Sequence, residues 1–334
     1  MLLAAGKGER IGPLTKEIPK ALVNIAGKTL LEWAVERYKQ SGIKDIVVAV
    51  GWKGSLIEEF VSQRDIDVKL VHVPDYEIGP LKTFLTALES FDGDFLLSPV
   101  DALLEPATLV GLLSHNKDIA TQEGVILGVG LNSETGTPVE IDDMGHVTAF
   151  GFTESNGVKT ARSAMLLLAN TSIREVCESS LNEGKNRVVH VLERIIADNG
   201  PIQGYQVMQP WFDIDSLSDI LVANQYLLQR GGFQETDAVF VPEGDTIEVG
   251  DTLSLKSITI EKGTLLQGPV LIGSNCNIGT HCRIGPNVTI TSSCTISDYS
   301  DVSDTVIFGE SDLPVRSRVY KRVIYKSNQF VAEI

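Results

Sequence analysis

The stretch that decides the fold is Met1-Leu-Leu-Ala-Ala-Gly6-Lys7-Gly8-Glu9-Arg10, which continues to Pro19-Lys20. Its apolar residues predict a short first strand, and the glycine-rich loop would lie at the carboxyl end of that strand, where open α/β sheets bind ligands. Gly6 and Gly8 lack a Cβ atom, so the backbone can adopt φ > 0 and bring amide N–H groups close to a phosphate. Because Arg10 and Lys20 supply positive charge, the stretch predicts an anion-binding loop.

The spacing of this loop excludes two common phosphate-binding motifs. A Walker A motif needs Gly-Lys-Ser/Thr after four residues, and a dinucleotide fingerprint needs a third glycine where the chain has Ile11. The complete string is Leu-x-Ala-Gly-x-Gly-x-Arg, followed by Pro19-Lys20. It resembles the signature of the sugar-1-phosphate nucleotidylyltransferases, also called nucleotide-diphospho-sugar pyrophosphorylases.

The resemblance implies a Rossmann-like α/β domain with a mostly parallel sheet. In this family a nucleoside triphosphate and a sugar 1-phosphate bind side by side, and a sugar-phosphate oxygen attacks the α-phosphorus and expels pyrophosphate with the help of Mg²⁺. It also implies that Arg10 binds the triphosphate and stabilises the leaving pyrophosphate, and that Lys20 neutralises the reacting phosphates. Nucleotide contacts are expected from Leu3, Ala5, Gly6, Gly8 and Lys82.

Two separated aspartates are the expected Mg²⁺ ligands. Asp101 follows an apolar strand and would lie at the same sheet edge as the loop, although a plain loop or helix-capping role is an alternative. Asp213 lies in Trp211-Phe-Asp-Ile214, which resembles the family segment that carries the second metal aspartate. Asp215 is a competing ligand, but its position before Ser216 favours a capping role.

The chain departs from the family in the half that would bind the sugar phosphate. Where Glu-Lys-Pro is common, residues 152–156 read Phe-Thr-Glu-Ser-Asn, and Ala-Arg-Ser replaces the Asn-x-Gly segment. We therefore assign the sugar phosphate to Glu154 and Arg162, with Lys159 as an alternative. Lys82 stands where some relatives have a base-reading glutamine, and an ammonium group only donates hydrogen bonds. A non-catalytic or regulatory paralogue, or transfer to another phosphorylated alcohol, remains an alternative function.

A second pattern with a period of six residues begins beyond a linker. One column of the pattern is aliphatic and the other is mostly small: Ile260, Leu266, Ile272, Ile278, Ile284, Ile290, Ile296 and Val302, and Ile258, Thr264, Val270, Cys276, Cys282, Val288, Cys294 and Ser300. This period is typical of the hexapeptide repeats of a left-handed parallel β-helix. The predicted domains are residues 1–230 (nucleotidyltransferase), 231–257 (linker and entry to the repeats), 258–308 (β-helix) and 309–334 (C-terminal cap).

Short apolar runs predict buried strands at residues 46–50, 68–73 and 95–97. Capping-box spacing at residues 29–32 and 55–58 predicts the starts of two helices. In the first of these helices, Leu30, Leu31, Ala34 and Tyr38 mark one apolar face.

The repeats also suggest an acyltransferase, but His281 is their only histidine and takes an outward position, so a solvated histidine is the preferred interpretation.

The composition limits the partners. The chain has 334 residues and a formal net charge of −16, which disfavours nucleic acid and anionic membrane surfaces. No apolar run has the length of a membrane span, and no leader pattern precedes the first strand, so we expect a cytoplasmic protein.

The cysteines lack metal-ligand spacing and are expected to pack in the core. Residues 240–334 are expected to mediate a homo-oligomer and to contribute no catalytic group.

Overall fold

The computed structural model describes residues 1–115, 124–131, 135–151, 159–198, 200, 202–231 and 237–332. The chain forms two compact units. The first unit comprises Met1–Gly8, Ile18–Leu22 and Leu30–Asp213, and the second unit comprises Glu9–Glu17, Val23–Thr29 and Ile214–Ile334.

The helices are, in chain order, α1 (Pro13–Glu17), α2 (Leu30–Gln40), α3 (Gly54–Gln63), α4 (Pro80–Leu88), α5 (Pro106–His115), α6 (Arg174–Asn182), α7 (Val188–Ala197) and α8 (Leu217–Arg230). The strands of residues 1–213 are β1 (Leu2–Ala4), β2 (Asn24–Ile25), β3 (Lys28–Thr29), β4 (Val47–Val50), β5 (Lys69–His72), β6 (Asp94–Pro99), β7 (Ala102–Leu103), β8 (Val125–Gly130), β9 (Thr137–Ile141), β10 (Val147–Phe150), β11 (Lys159–Asn170), β12 (Ile202–Gln206) and β13 (Phe212–Asp213).

The remaining strands, like β2 and β3, belong to the second unit. They are β14 (Val239–Val241), β15 (Thr246–Glu248), β16 (Leu253–Leu255), β17 (Ile258–Ile260), β18 (Leu265–Gln267), β19 (Val270–Ile272), β20 (Asn277–Ile278), β21 (Arg283–Ile284), β22 (Val288–Ile290), β23 (Thr295–Ile296), β24 (Asp301–Phe308), β25 (Asp312–Leu313), β26 (Arg318–Tyr325) and β27 (Asn328–Val331). Among the described residues, no helix is both long and apolar enough to cross a membrane.

The first unit is built on one mixed sheet with the order β10-β9-β11-β6-β1-β4-β5, and β8 joins β11 to β12. The first strand lies in the interior of this sheet, parallel to both neighbours, with Leu2 opposite Val48 of β4 and Ser98 of β6. Since β1 and β6 run in the same direction, their carboxyl ends meet at one edge. The glycine-rich loop and Asp101 therefore leave the sheet at the same edge.

The sheet is less parallel than the sequence predicts. Strands β5, β4, β1 and β6 form the expected parallel part, and β12 also runs parallel to β8. The long strand β11, however, runs antiparallel to β6, β8 and β9. The α/β class is confirmed. In the antiparallel half, β9 and β10 pair with each other as an antiparallel hairpin before β11. No predicted element covered that segment, so this half was not foreseen.

The predicted local elements are mostly present. All of β4 is buried, whereas β5 is partly exposed because it is the last strand at its end of the sheet. The apolar face of α2 is buried as predicted. The predicted capping box at Ser55 is wrong: α3 begins one residue earlier, and its N-cap residue is Lys53, which has φ +51° and no side-chain capping bond.

The second unit contains parallel ladders in which paired residues are three hexads apart. Thr259 pairs with Asn277, Leu265 with Arg283 and Val270 with Val288, each an offset of 18 residues. Further along the chain the offset falls to 17, as between Thr295 and Asp312. All sixteen side chains of the two six-residue columns are buried. These ladders therefore enclose a continuous apolar core.

The four cysteines are buried and carry free thiols. Burial raises the pKa of the Cys177 thiol to about 12 and also raises the pKa of Cys282. A protonated, buried thiol is a poor nucleophile. For Cys177 and Cys282 these features agree with the expected packing role.

A buried amide connects three segments of the second unit. The Asn224 Oδ1 atom of α8 accepts hydrogen bonds from the backbone N–H of Ala26 (3.0 Å) and from the hydroxyl of Thr289 (2.7 Å). Its Nδ2 atom donates to the carbonyl of Asn287 at 3.2 Å. The side chain thereby links α8 to the β2–β3 hairpin and to the ladders.

Asn224→Ala is therefore expected to lower the free energy of unfolding by about 2–3 kcal/mol, because it leaves buried donors and an acceptor without partners. Urea unfolding followed by circular dichroism measures this loss. Gln225→Ala is the matched control, since Gln225 is the next residue of α8 and is exposed. A loss for Asn224→Ala no larger than that of the control would contradict the prediction.

Candidate functional site

The glycine-rich loop leaves β1 at the sheet edge in the first unit. The carbonyl of Leu3 accepts a hydrogen bond from Val100 N–H (3.0 Å), and that of Ala5 accepts one from Trp52 N–H (2.9 Å). Gly8 adopts the left-handed conformation with φ +64°, as predicted, but Gly6 does not. Gly6 is exposed, and a Cβ atom there would meet nothing within 4 Å. The loop thus offers an open backbone surface next to Gly6.

Asp101 forms an ion pair with Lys20 inside the first unit. The lysine ammonium contacts Asp101 Oδ2, and the two side chains are only 11% and 14% exposed. The second carboxylate oxygen, Oδ1, is buried and has no hydrogen-bond partner among the described residues. A buried carboxylate oxygen without a partner is costly. The site therefore has one oxygen available for a further positively charged ligand.

Asp213 lies beside Asp101. Strands β13 and β7 pair antiparallel, with Asp213 opposite Ala102, the residue after Asp101. Oxygen atoms of the two carboxylates lie within 4.8 Å of each other. Carboxylate oxygens are the ligands that Mg²⁺ prefers. Because Asp101 also has an oxygen without a partner, these two residues fit a divalent cation.

Lys20 and a divalent cation would compete for the same carboxylate. Lys20→Met is therefore expected to raise the affinity of the nucleotide-free protein for Mn²⁺ by about tenfold or more, because it removes a nearly buried positive charge from the metal site. Isothermal titration with Mn²⁺ measures this change.

Lys7→Met is the matched control for that titration. Lys7 lies in the glycine-rich loop of the same unit, but its ammonium pairs with Glu77 at 2.6 Å. The control is expected to bind Mn²⁺ as the wild type does. Equal Mn²⁺ affinities for Lys20→Met and the wild type would show that the ammonium does not compete with the metal.

Arg10 belongs to the second unit, where it pairs with Asp215. Its Nη1 atom lies 2.5 Å from Asp215 Oδ2. The predicted capping role of Asp215 is wrong, because Ser216 caps α8 and forms a capping box with Asp219. Asp215 instead provides the carboxylate that Arg10 contacts.

The residues assigned to the base and the sugar phosphate lie in other places. Lys82 and Arg174 line a cavity of about 310 Å³ between α4 and α6. Arg162 donates a hydrogen bond to the carbonyl of Gly136 at 3.1 Å. Glu154 lies outside the described residues. The binding roles of Lys82, Glu154 and Arg162 stay predictions.

A cavity of about 370 Å³ in the first unit was not foreseen. It is lined by residues that follow β8 and β12, including Leu131, Met208 and Trp211. The indole Nε1 of Trp211 is buried without a hydrogen-bond partner in the described part of the chain. In the sequence, Trp211 marks the segment that carries Asp213, and no other residue of the cavity belongs to a motif.

Two further contacts of the loop were missed because their partners are distant in sequence. Glu77, just before α4, pairs with Lys7. The Lys7 ammonium also lies 5.7 Å from the ring centre of Trp52, within the range of a cation–π contact. Neither partner belongs to a motif, so only the fold brings them to the loop.

Two family profiles match the chain. Residues 1–151 match the MobA-like NTP transferase domain, and residues 266–331 match the GMPPB C-terminal domain. The bifunctional IPC transferase and DIPP synthase of Aquifex aeolicus is 26% identical over 235 residues, which cover 69% of this chain and 51% of that protein. The chain thus spans about half the length of this curated relative.

Two further proteins are similar. The low-salt glycan biosynthesis nucleotidyltransferase Agl11 of Haloferax volcanii is 25% identical over 250 residues, which cover 72% of this chain and 68% of that protein. The solved structure of UDP-glucose pyrophosphorylase from Acinetobacter baumannii has the same fold, with a TM-score of 0.55 and 17% identity over 67% of this chain and 91% of that one. Together with the loop motif, these matches confirm the predicted resemblance of the chain to the sugar-1-phosphate nucleotidyltransferases.

Proposed function

We propose that the protein is a Mg²⁺-dependent sugar-1-phosphate nucleotidylyltransferase, which converts a nucleoside triphosphate and a sugar 1-phosphate into a nucleotide sugar and pyrophosphate. The observation that carries the proposal is the pair of carboxylates of Asp101 and Asp213, within 4.8 Å of each other at the sheet edge where the glycine-rich loop begins. A metal site beside an anion-binding loop suits phosphoryl chemistry.

The reaction needs no nucleophile from the protein. An oxygen of the sugar phosphate forms the new bond to the α-phosphorus, while the bond from that phosphorus to the pyrophosphate oxygen breaks. Asp101 and Asp213 would hold Mg²⁺, which supplies neutralisation of the phosphate charge when bound. Lys20 would neutralise the reacting phosphates, Arg10 would bind the leaving pyrophosphate, and the loop around Gly6 and Gly8 would donate backbone N–H groups. Catalysis then consists of positioning and charge compensation.

The second substrate would bind near the cavity lined by Trp211. Trp211, which lines that cavity, precedes Asp213 by two residues. A cavity volume of about 370 Å³ is enough for a small ligand. Arg162 and Glu154 are the proposed contacts of the sugar phosphate, and Lys82, with Leu3 and Ala5, the proposed contacts of the nucleotide.

A substrate screen tests the proposed activity. Each common nucleoside triphosphate is incubated with a panel of sugar 1-phosphates and Mg²⁺, and pyrophosphate release is measured. The proposal expects release with at least one pair and none without Mg²⁺. Release from no pair, with triphosphate binding retained, would instead support a non-catalytic paralogue. Release only with another phosphorylated alcohol would support the related transferase.

We also propose that residues 258–308 form a left-handed β-helix of hexapeptide repeats. The offset of 18 residues between paired strands supports three hexads per turn. Non-glycine residues with left-handed backbone recur at nearly the same spacing and form three columns: His281, Tyr299 and Arg316; Asn275, Ser293 and Glu310; and Asn287, Asp304 and Lys321. Such columns are expected at the corners of a triangular coil.

We also propose that residues 240–334 mediate a homo-oligomer, with β26 and β27 at the interface. Large apolar side chains, including Tyr320 and Val331, are exposed on β26 and β27. Within the described residues β27 pairs only with β26, so its other edge can accept a strand. The cytoplasmic location expected from the sequence likewise stays a proposal.

Substitution of both apolar residues in the full-length chain is expected to dissociate the oligomer. Tyr320→Lys with Val331→Lys should lower the molar mass measured by light scattering to that of a monomer, because like charges would face each other across the interface. Met144→Lys is the matched control, since Met144 is exposed in the first unit. An unchanged molar mass in the double variant would place the interface elsewhere.

A further inference from the structure

Arg10 is an exposed side chain that forms an ion pair. It lies on the short segment Glu9–Ile11, and 77% of its side chain is exposed. Its Nη1 atom contacts Asp215 Oδ2 at 2.5 Å, and the Asp215 side chain is only 18% exposed. Both residues belong to the second unit. The ion pair thus joins a long, exposed side chain to a partly buried carboxylate.

The backbone that carries Asp215 is anchored to α8. The backbone N–H groups of Asp215 and Ser216 donate to Asp219 Oδ2 at 3.0 and 2.7 Å. In return, the Ser216 hydroxyl accepts from Asp219 N–H at 3.1 Å. Because these bonds hold the chain just before a helix of 14 residues, the Asp215 carboxylate is a fixed reference point for Arg10.

The geometry favours orientation of Arg10 over its sequestration. A guanidinium group has five N–H donors in a rigid plane. The ion pair joins Nη1 to Asp215 Oδ2, and 77% of the Arg10 side chain stays exposed. The exposed donors are therefore available to an anion while the group is already held in place. Holding a long side chain before binding removes an entropic cost that the ligand would otherwise have to offset.

We infer that Asp215 is a positioning residue, which holds the Arg10 guanidinium ready for the pyrophosphate portion of the triphosphate. The inference rests on the proposed function, which assigns the triphosphate to Arg10. It gives Asp215 a role other than helix capping or metal ligation.

A single substitution cannot test this inference, because Asp215 is itself negative. Asp215→Asn removes a carboxylate that repels any bound anion, which would strengthen anion binding, and it also frees Arg10, which would weaken it. A double-mutant cycle separates the two effects, since only the second depends on Arg10.

The cycle uses four full-length proteins: wild type, Arg10→Ala, Asp215→Asn and the double variant. Isothermal titration measures their affinities for inorganic pyrophosphate at a fixed Mg²⁺ concentration, a probe that does not depend on the nucleobase. Arg10→Ala alone is expected to weaken binding about tenfold. Asp215→Asn changes the affinity for pyrophosphate by some factor in each background. We expect that factor to be about fivefold less favourable to binding when Arg10 is present than when it is absent. Asp215→Glu, which keeps the charge, should restore part of the coupling.

The outcomes separate the inference from the proposed function. If Arg10→Ala binds pyrophosphate as the wild type does, the role of Arg10 is rejected, and its positioning by Asp215 with it. If Arg10→Ala weakens binding but the cycle shows no coupling, only the inference is overturned. Coupling of the opposite sign would mean that Asp215 sequesters Arg10. Loss of Mn²⁺ affinity in Asp215→Asn equal to that in Asp213→Asn would make Asp215 a metal ligand and would also overturn the inference.

Discussion

Asp213→Asn is expected to lower turnover by about 10²-fold or more while leaving the fold intact. An amide keeps the size of the side chain but removes one of the two negative charges that would hold Mg²⁺. Developing charge on the phosphates would then be left uncompensated in the transition state. Pyrophosphate release over a range of Mg²⁺ concentrations measures the effect, and circular dichroism checks the fold.

The control for this substitution is Asp67→Asn. The Asp67 side chain is 90% exposed, so its replacement should leave both turnover and the Mg²⁺ requirement unchanged. If Asp213→Asn kept the wild-type dependence on Mg²⁺, Asp213 would not be a metal ligand, even if turnover fell.

Arg10→Ala is expected to lower kcat by about 10²-fold and to raise the KM for the triphosphate much less. The reason is that the pyrophosphate portion gains charge as its bond to the α-phosphorus breaks, so a guanidinium there stabilises the transition state more than the bound substrate. Steady-state kinetics with the substrate pair from the screen separate kcat from KM.

Lys16→Ala provides the comparison for Arg10. Lys16 is exposed and lies, like Arg10, in the segment Glu9–Glu17 of the second unit. Its substitution therefore controls for a general loss of positive charge. Equal factors of change in kcat and in triphosphate affinity for Arg10→Ala would reduce Arg10 to a binding residue with no particular role in the transition state.

The position of the glycine-rich loop and Asp101 at one sheet edge could be predicted because both lie directly after strands. Gly8 and Asp101 follow β1 and β6, and the parallel pairing of those strands brings their ends to one edge. Asp213 was predicted only by its resemblance to a family segment. Its position beside Asp101 depends on the pairing of β13 with β7, two short strands that no periodicity indicates.

The ion pairs of the loop could not be predicted from the sequence. Lys7 and Glu77, like Arg10 and Asp215, are far apart in the chain. Glu77 lies in no motif, and the sequence around Asp215 indicates only metal ligation or capping. The predicted cap at Asp215 failed for a local reason. A serine followed three residues later by an aspartate is the stronger capping signal, and that signal begins at Ser216.

The repeat region gave a stronger signal because it repeats the same register many times. Each six-residue step places one aliphatic and one small side chain, and all sixteen are buried. The change in offset from 18 to 17 residues beyond β22 was not visible, because it comes from a shorter connection and leaves the identity of the inward side chains unchanged.

The interleaved course of the chain limits how this protein can be divided or recombined. The chain passes between the two units after Gly8, Glu17, Leu22, Thr29 and Asp213. A protease that cleaved after Asp213 would leave two short segments of the second unit covalently attached to the first. An exchange of the C-terminal region between relatives would likewise have to include residues 9–17 and 23–29, because they belong to the same unit.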